Sequence, residues 1–115
     1  MRKTIVAIDF DGVVVHHQYP NIGALLPGAK NCINKLYEDF YIIIWTCRGG
    51  ENLGDIIRFM DAKGIKYHKV NENAPFEIIG FKPSPKVYAD FYIDDNNLGG
   101  FPGWEIAYKM IVNTL

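Results

Sequence analysis

Four acidic residues at two places in the chain raise the question of chemistry. Asp9 and Asp11 flank Phe10 in the run Asp9-Phe10-Asp11-Gly12, and Asp94-Asp95 follows Phe91-Tyr92-Ile93. On an extended strand end, positions 9 and 11 project the same way. Two like charges held that close repel, and one is driven neutral unless a cation sits between them. Magnesium answers this, because it takes oxygen ligands in octahedral geometry and keeps several waters. Gly12 lets the chain turn sharply, so that the N–H groups of Phe10 and Asp11 can form a concave anion nest. Read alone, the run is equally an ordinary Asp-Gly turn. Asp94-Asp95 read alone is a cap or a solvated turn, since adjacent acids after an apolar strand are costly unless exposed or bound to a cation. Taken together, Asp9, Asp11, Asp94 and Asp95 are candidate ligands of one magnesium ion.

Other residues fit the same chemistry. Thr46 ends an apolar run as a hydroxyl donor, or serves as a helix N-cap. Arg48, two residues on, either touches a phosphate or lies in water, and water is the simpler reading. Lys82 and Lys86 both precede the last apolar run; one ammonium near four carboxylates and an incoming phosphate has an electrostatic role, and the other is a surface lysine. His16 and His17 fall in a polar segment and read as surface residues within reach of a substrate. Cys32 lies on the apolar face of a helix and Cys47 near the proposed site, with no Cys-x-x-Cys spacing to suggest zinc or redox chemistry. There is no Walker loop, no Gly-x-Gly-x-x-Gly and no local signature of a Ser-His-Asp triad.

The elements that must position these residues alternate along the chain. Ile5 to Ile8, Tyr41 to Trp45 and Phe91 to Ile93 are continuous apolar runs that read as strands buried on both faces. Tyr67 to Val70 is a short fourth. Between them, Ala29, Cys32, Ile33, Leu36, Tyr37 and Phe40 recur at helical spacing after Pro27, which suits a first helical turn. Leu53, Ile56, Ile57 and Met60 form a second stripe, stopped by Gly64. Trp104, Ala107, Tyr108, Ile111 and Leu115 form a third. The segment Asn71 to Pro85 holds three prolines and reads as loop. This alternation predicts parallel βαβ units in one domain over residues 1–115, a three-layer α/β sandwich with a mostly parallel, Rossmann-like sheet. Each strand ends in a polar residue (Asp9, Thr46, Asp94). In open α/β sheets ligands bind at the carboxyl ends of strands, so the polar clusters are expected to converge at one edge.

In order and placement, Asp9-Phe10-Asp11-Gly12-Val13, Trp45-Thr46, Lys86 and Asp94-Asp95 resemble the four motifs of the haloacid dehalogenase superfamily, from Ile5 to about Trp104. The resemblance implies a phosphatase. Asp9 is then the nucleophile and a metal ligand. Asp11 is the acid and base, with its carbonyl on the metal. Thr46 holds a phosphoryl oxygen, and the Phe10 and Asp11 backbone and Arg48, read from the residues themselves, are further candidate substrate contacts. Lys86 steadies the charge, and Asp95 with Asp94 completes the magnesium shell. The catalytic set is thus Asp9, Asp11, Thr46 and Lys86. The short spans from Asp11 to Pro27 and from Thr46 to Lys86 leave no room for a separate cap domain, so the residues that read the substrate are not apparent.

Composition narrows the partners. Over 115 residues the net charge is −1, with 49% hydrophobic and 22% charged residues, which offers no footprint for nucleic acid or an anionic membrane. No apolar run reaches the ~20 residues that span a bilayer. Asp9 and Asp11 cut the first run too short for a signal peptide. The expected protein is a cytoplasmic, magnesium-dependent enzyme for a small phosphorylated metabolite, with closure of the site by homo-oligomerisation as one route. The alternatives are a nucleotide or polynucleotide-end phosphatase and a non-catalytic phospho-acceptor or binding module. A receiver-type switch carries its acceptor Asp in mid-chain, and here no Asp ends the Tyr41–Trp45 run.

Overall fold

The structure is a computed structural model describing residues 2–82 and 84–115. In chain order its elements are β1 (Ile5–Ile8), β2 (Val15–Gln18), β3 (Asn21–Leu25), α1 (Ala29–Asp39), β4 (Tyr41–Ile44), α2 (Gly50–Lys63), β5 (Lys69–Val70), β6 (Phe91–Ile93) and α3 (Trp104–Val112). The main sheet has the order β5-β4-β1-β6 and every pairing in it is parallel. This is the Rossmann-like α/β arrangement expected from the alternation of elements.

Alternate residues of the sheet serve two cores. Val6, Ile8, Ile42 and Ile44 pack with Ile33 and Leu36 of α1, Ile56 and Met60 of α2, and Trp104 and Ile111 of α3. Ile5, Ala7, Tyr41 and Ile43 form a second cluster with Val87 and Ala89, flanked by Phe76, Ile78 and Tyr92. All three helices therefore contribute to the same side. The three-layer expectation is corrected here: the opposite face is covered by irregular chain between β5 and β6, not by a helix. That segment includes Pro75 and Pro85, and proline inside a helix removes a hydrogen bond and clashes with the preceding turn. Its apolar side chains still close the core.

Local signals explain most boundaries. Gly64 ends α2 in a left-handed conformation, φ 73°, as a C-terminal glycine does. Gly28 rather than Pro27 caps α1, so the proline lies just outside the first turn. The strand expected from Tyr67 starts at Lys69, because the His68 side chain is turned to β4: its Nδ1 accepts the Ile42 N–H at 2.9 Å. The imidazole is stacked between Tyr37 and Tyr41, with centroids 4.2 and 4.3 Å away. The antiparallel hairpin of β2 and β3 falls in the polar segment around His16 and His17, where no strand is apparent from the sequence. After the buried Val15, its first strand is exposed at His16, His17 and Gln18, so it lacks the apolar alternation that marks a strand. Gly23 is required in the second strand, where a Cβ would collide with the His16 carbonyl. Among the described residues, no helix is long and apolar enough to cross a membrane.

Candidate functional site

The parallel sheet brings three chain exits to one edge. In the register, Ile8 lies beside Ile44 on one side and Ile93 on the other. The ladder runs one residue further, with the Asp9 N–H donating to Ile93 O at 2.9 Å and the Trp45 N–H to Ile8 O at 2.8 Å. Asp9, Thr46 and Asp94-Asp95 leave the sheet together from there. One carboxylate oxygen each from Asp9, Asp94 and Asp95 lie within 4.8 Å of one another. Gly12, at φ 88°, makes this possible in a second way besides the turn: a Cβ there would run into the Asp95 carboxylate.

The three carboxylates of this trio crowd one another. The Asp9 carboxyl is pushed up to about 8, first by burial, then by the Asp94 charge and by contact with Asp95. The Phe10 N–H, donating to Asp9 Oδ1 at 2.9 Å, works in the opposite direction. The group supplies only hard oxygen donors, with no His or Cys, which fits magnesium better than zinc.

The fourth carboxylate does not join the trio. Asp11 turns to Arg48, whose Nε and Nη2 donate to its two oxygens at 2.8 Å each. The same guanidinium donates to the carbonyls of Pro20 and Asn21, each at 3.0 Å, at the turn between β2 and β3. Its plane lies against the rings of Phe10 and Tyr19, 5.7 and 4.9 Å from their centroids. Arg48 is 3% exposed, and its hydrogen bonds to Asp11 hold its pKa above the usual arginine value. Two expectations are corrected. Arg48 neither lies in water nor presents its fork to a phosphate, since four of its five N–H groups are already engaged. The Asp11 carboxylate, held by Arg48, is outside the group of three that could hold a metal.

Thr46 is placed by a residue the motif reading missed. Asn71 accepts the Thr46 N–H at 2.8 Å through Oδ1 and donates to the Thr46 carbonyl at 2.9 Å through Nδ2. Asn71 has φ 55°, a conformation that asparagine tolerates better than most residues. The Thr46 hydroxyl accepts the Arg48 N–H at 3.1 Å and keeps its own proton to donate. The Phe10 ring is buried edge-on to Phe59, and its N–H is occupied by Asp9, so the expected nest has one donor already engaged. Trp104 Nε1 donates to Val13 O at 2.7 Å and ties α3 to the loop after β1.

A cleft of about 330 Å³ opens at this edge. Asp9, Asp11, Thr46, Arg48 and Asp95 line it, joined by His17 and Tyr19 from the hairpin and by Cys47 and Asn96. His16 is exposed and is not part of this lining. Lys86 is exposed and makes no ion pair among the described residues; its ammonium lies 4.5 Å from the Tyr92 ring centroid. Tyr92 belongs to the face that Ala7 and Ile43 share. Lys82 lines a separate hollow with Phe76 and Phe81.

No family model and no curated protein matches the chain. Among solved structures it is similar to one described as the conserved protein coded by locus from Bacteroides thetaiotaomicron. The two are 39% identical, with 99% of this chain and 93% of that chain covered and a TM-score of 0.86.

Proposed function

We propose that this chain, which belongs to one family with that conserved Bacteroides thetaiotaomicron protein, is a magnesium-dependent phosphohydrolase of the haloacid dehalogenase type. Its substrate is a small phosphate monoester, cleaved through an aspartyl-phosphate on Asp9. The reading is carried by the convergence of Asp9, Asp94 and Asp95 at the sheet edge where Thr46 also emerges. A carboxylate nucleophile splits one difficult displacement into two easier ones.

Asp9 Oδ1 is held by the Phe10 N–H, which leaves Oδ2 to attack phosphorus. The bond from phosphorus to the ester oxygen breaks, and that oxygen takes a proton from Asp11. Water then attacks the phosphorus of the acyl phosphate, gives a proton to Asp11 and frees Asp9 and inorganic phosphate. Because both Asp11 oxygens accept from Arg48, this acid and base role requires Asp11 to give up one of those bonds and to take up a proton from solvent before the first step. Thr46 donates its hydroxyl proton to a phosphoryl oxygen; Lys86, which lies over Tyr92 outside the cleft lining, is assigned the offsetting positive charge by the family resemblance. Magnesium, held by Asp9, Asp94 and Asp95, supplies charge neutralisation for the phosphate when bound.

The test is phosphate release from a panel of monoesters with magnesium and with chelator, followed by peptide mapping of quenched enzyme. The expected result is magnesium-dependent release and a phosphoryl group on the peptide containing Asp9. Full activity in chelator, or release with no labelled Asp9, overturns the reading.

A further inference from the structure

The Tyr19 ring is held at one face and at its hydroxyl, and its neighbour Pro20 is tied to the same arginine. The Arg48 guanidinium lies 4.9 Å from its centroid, its hydroxyl accepts from Asn52 Nδ2 of α2 at 3.0 Å, and the carbonyl of the next residue, Pro20, accepts from Arg48. Arg48 is almost wholly buried while Tyr19 is 52% exposed. One ring face lies on Arg48, and the half-exposed ring is part of the lining of the cleft that also contains Asp9 and Thr46. An aromatic ring fixed in place before binding offers contact area at little cost in conformational freedom.

We infer that Tyr19 is a specificity-determining platform on which a flat ring in the leaving group stacks. The favoured substrates are then phosphate monoesters carrying a nucleobase or another planar group, and His17 on the same hairpin lines the cleft beside them. This inference rests on the phosphohydrolase reading for the placement of the phosphate. It differs from that reading in what it requires, which is a preference in binding.

The experiment compares two ligands that share the phosphonate and differ in the ring. Binding of the non-hydrolysable phosphonate analogues of adenosine 5′-monophosphate and ribose 5-phosphate is measured by calorimetry in magnesium, on the parent protein. The nucleotide analogue should bind roughly fivefold or more tighter, the scale of a single base stacked on an aromatic side chain. Tyr19→Ala should remove that preference with little change for the ribose 5-phosphate analogue, and Tyr19→Phe and Tyr19→Trp should keep it. Equal binding of the two ligands, a preference that survives Tyr19→Ala, or no binding of either overturns the inference. Equal weakening of both ligands in Tyr19→Ala also overturns it, because Tyr19 then acts only as a brace for Arg48. Phosphate release by the parent enzyme is scored separately: a ring preference without release defeats the phosphohydrolase reading and leaves the platform standing.

Discussion

The two ends of the central sheet treat an aspartate in opposite ways. At the amino end, Asp90 accepts Arg2 Nη1 and Nη2 at 2.7 and 2.9 Å, the Ile5 N–H at 2.8 Å and the Tyr88 hydroxyl at 3.2 Å. These bonds, those from Arg2 foremost, bring its carboxyl down to about 2. At the carboxyl end, Asp9 is buried beside Asp94 and Asp95 and rises to about 8. The chain supplies its own cation at the first end and leaves it out at the second. A carboxylate with a built-in partner secures the fold; three carboxylates brought together without one are a candidate metal site. Arg48 and Asp11 lie between these cases, as a satisfied pair at the rim of the unsatisfied trio.

The largest effect should come from the trio itself. Asp9→Asn keeps the shape of the side chain but removes the nucleophile and one metal ligand, so phosphate release should be lost while the circular dichroism spectrum is retained. Substantial residual turnover would sink the covalent route. Next is the added cation. Lys86→Ala should lower kcat by roughly 10²–10³-fold, the scale of one preorganised charge in the transition state. Lys82→Ala should stay within a few-fold of the parent, because the family resemblance places the catalytic lysine at Lys86. The reverse ranking of the two lysines would remove Lys86 from the mechanism.

Arg48 gives the largest expected effect on stability. Removing one partner of a buried ion pair leaves an uncompensated charge and typically costs about 3–5 kcal/mol. The Arg48 side chain is 1% exposed and that of Asp11 12%, so Arg48→Met should fall near the lower end of that range in denaturant unfolding. Arg48→Lys should recover little, since an ammonium cannot reproduce the fork onto both oxygens and the two carbonyls. A full rescue by lysine would show that charge alone matters at that position.

Why the trio was legible in the sequence and Arg48 was not follows from the kind of contact each makes. Asp9, Thr46 and Asp94 are placed by the strands they terminate, and apolar runs announce strands. Parallel pairing then brings their ends to one edge with no further information. Arg48 is placed by Pro20, Asn21 and Asp11, which lie 28, 27 and 37 residues away, across a hairpin whose exposed polar strand has no pattern to read. Asn71 and Asp90 were hidden for the same reason: each works on the backbone or charge of a residue distant in sequence, and nothing local distinguishes it from a surface polar group. The covering of the second sheet face was missed differently. A proline-interrupted segment reads as loop, and whether a loop is also a layer depends on where Phe76, Ile78 and Val87 dock.

The trio should also respond to metal in the absence of any substrate. A ligand present at about a hundred times its Kd stabilises the folded state by ~2.7 kcal/mol, which for a domain of this size is on the order of 10 °C in Tm. Magnesium should raise the Tm of the parent accordingly. The double variant Asp94→Asn, Asp95→Asn should lose that response and should itself be more stable than the parent without metal, because it relieves like-charge repulsion. The pH dependence sharpens this. A folded pKa near 8 against an ordinary 3.8 for Asp9 means that its contribution is fully present below about pH 4. That contribution is lost as pH rises through 8. Magnesium should flatten this decline between about pH 4 and pH 8, and an unchanged slope would separate the metal from Asp9.

At the other end of the sheet the sign reverses and the effect is smaller. The folded pKa of Asp90 lies near 2 against an ordinary 3.8, so its contribution is present above about pH 4 and lost as pH falls toward 2. Arg2 remains charged throughout, and what disappears on acidification is the acceptor. Asp90→Asn keeps one oxygen for the Ile5 N–H but gives up the fork to Arg2. Hydrogen bonds to a charged group are typically worth ~1.5–3 kcal/mol when buried. The Arg2 and Asp90 side chains are 31% and 22% exposed, so solvent screening reduces that, and about 1 kcal/mol is expected at neutral pH. The variant should also lose the part of the acid decline between pH 4 and pH 2 that belongs to Asp90, while its magnesium response stays that of the parent. A changed magnesium response in Asp90→Asn would mean that the two ends of the sheet are coupled, and the division between a self-sufficient end and an open one would not hold.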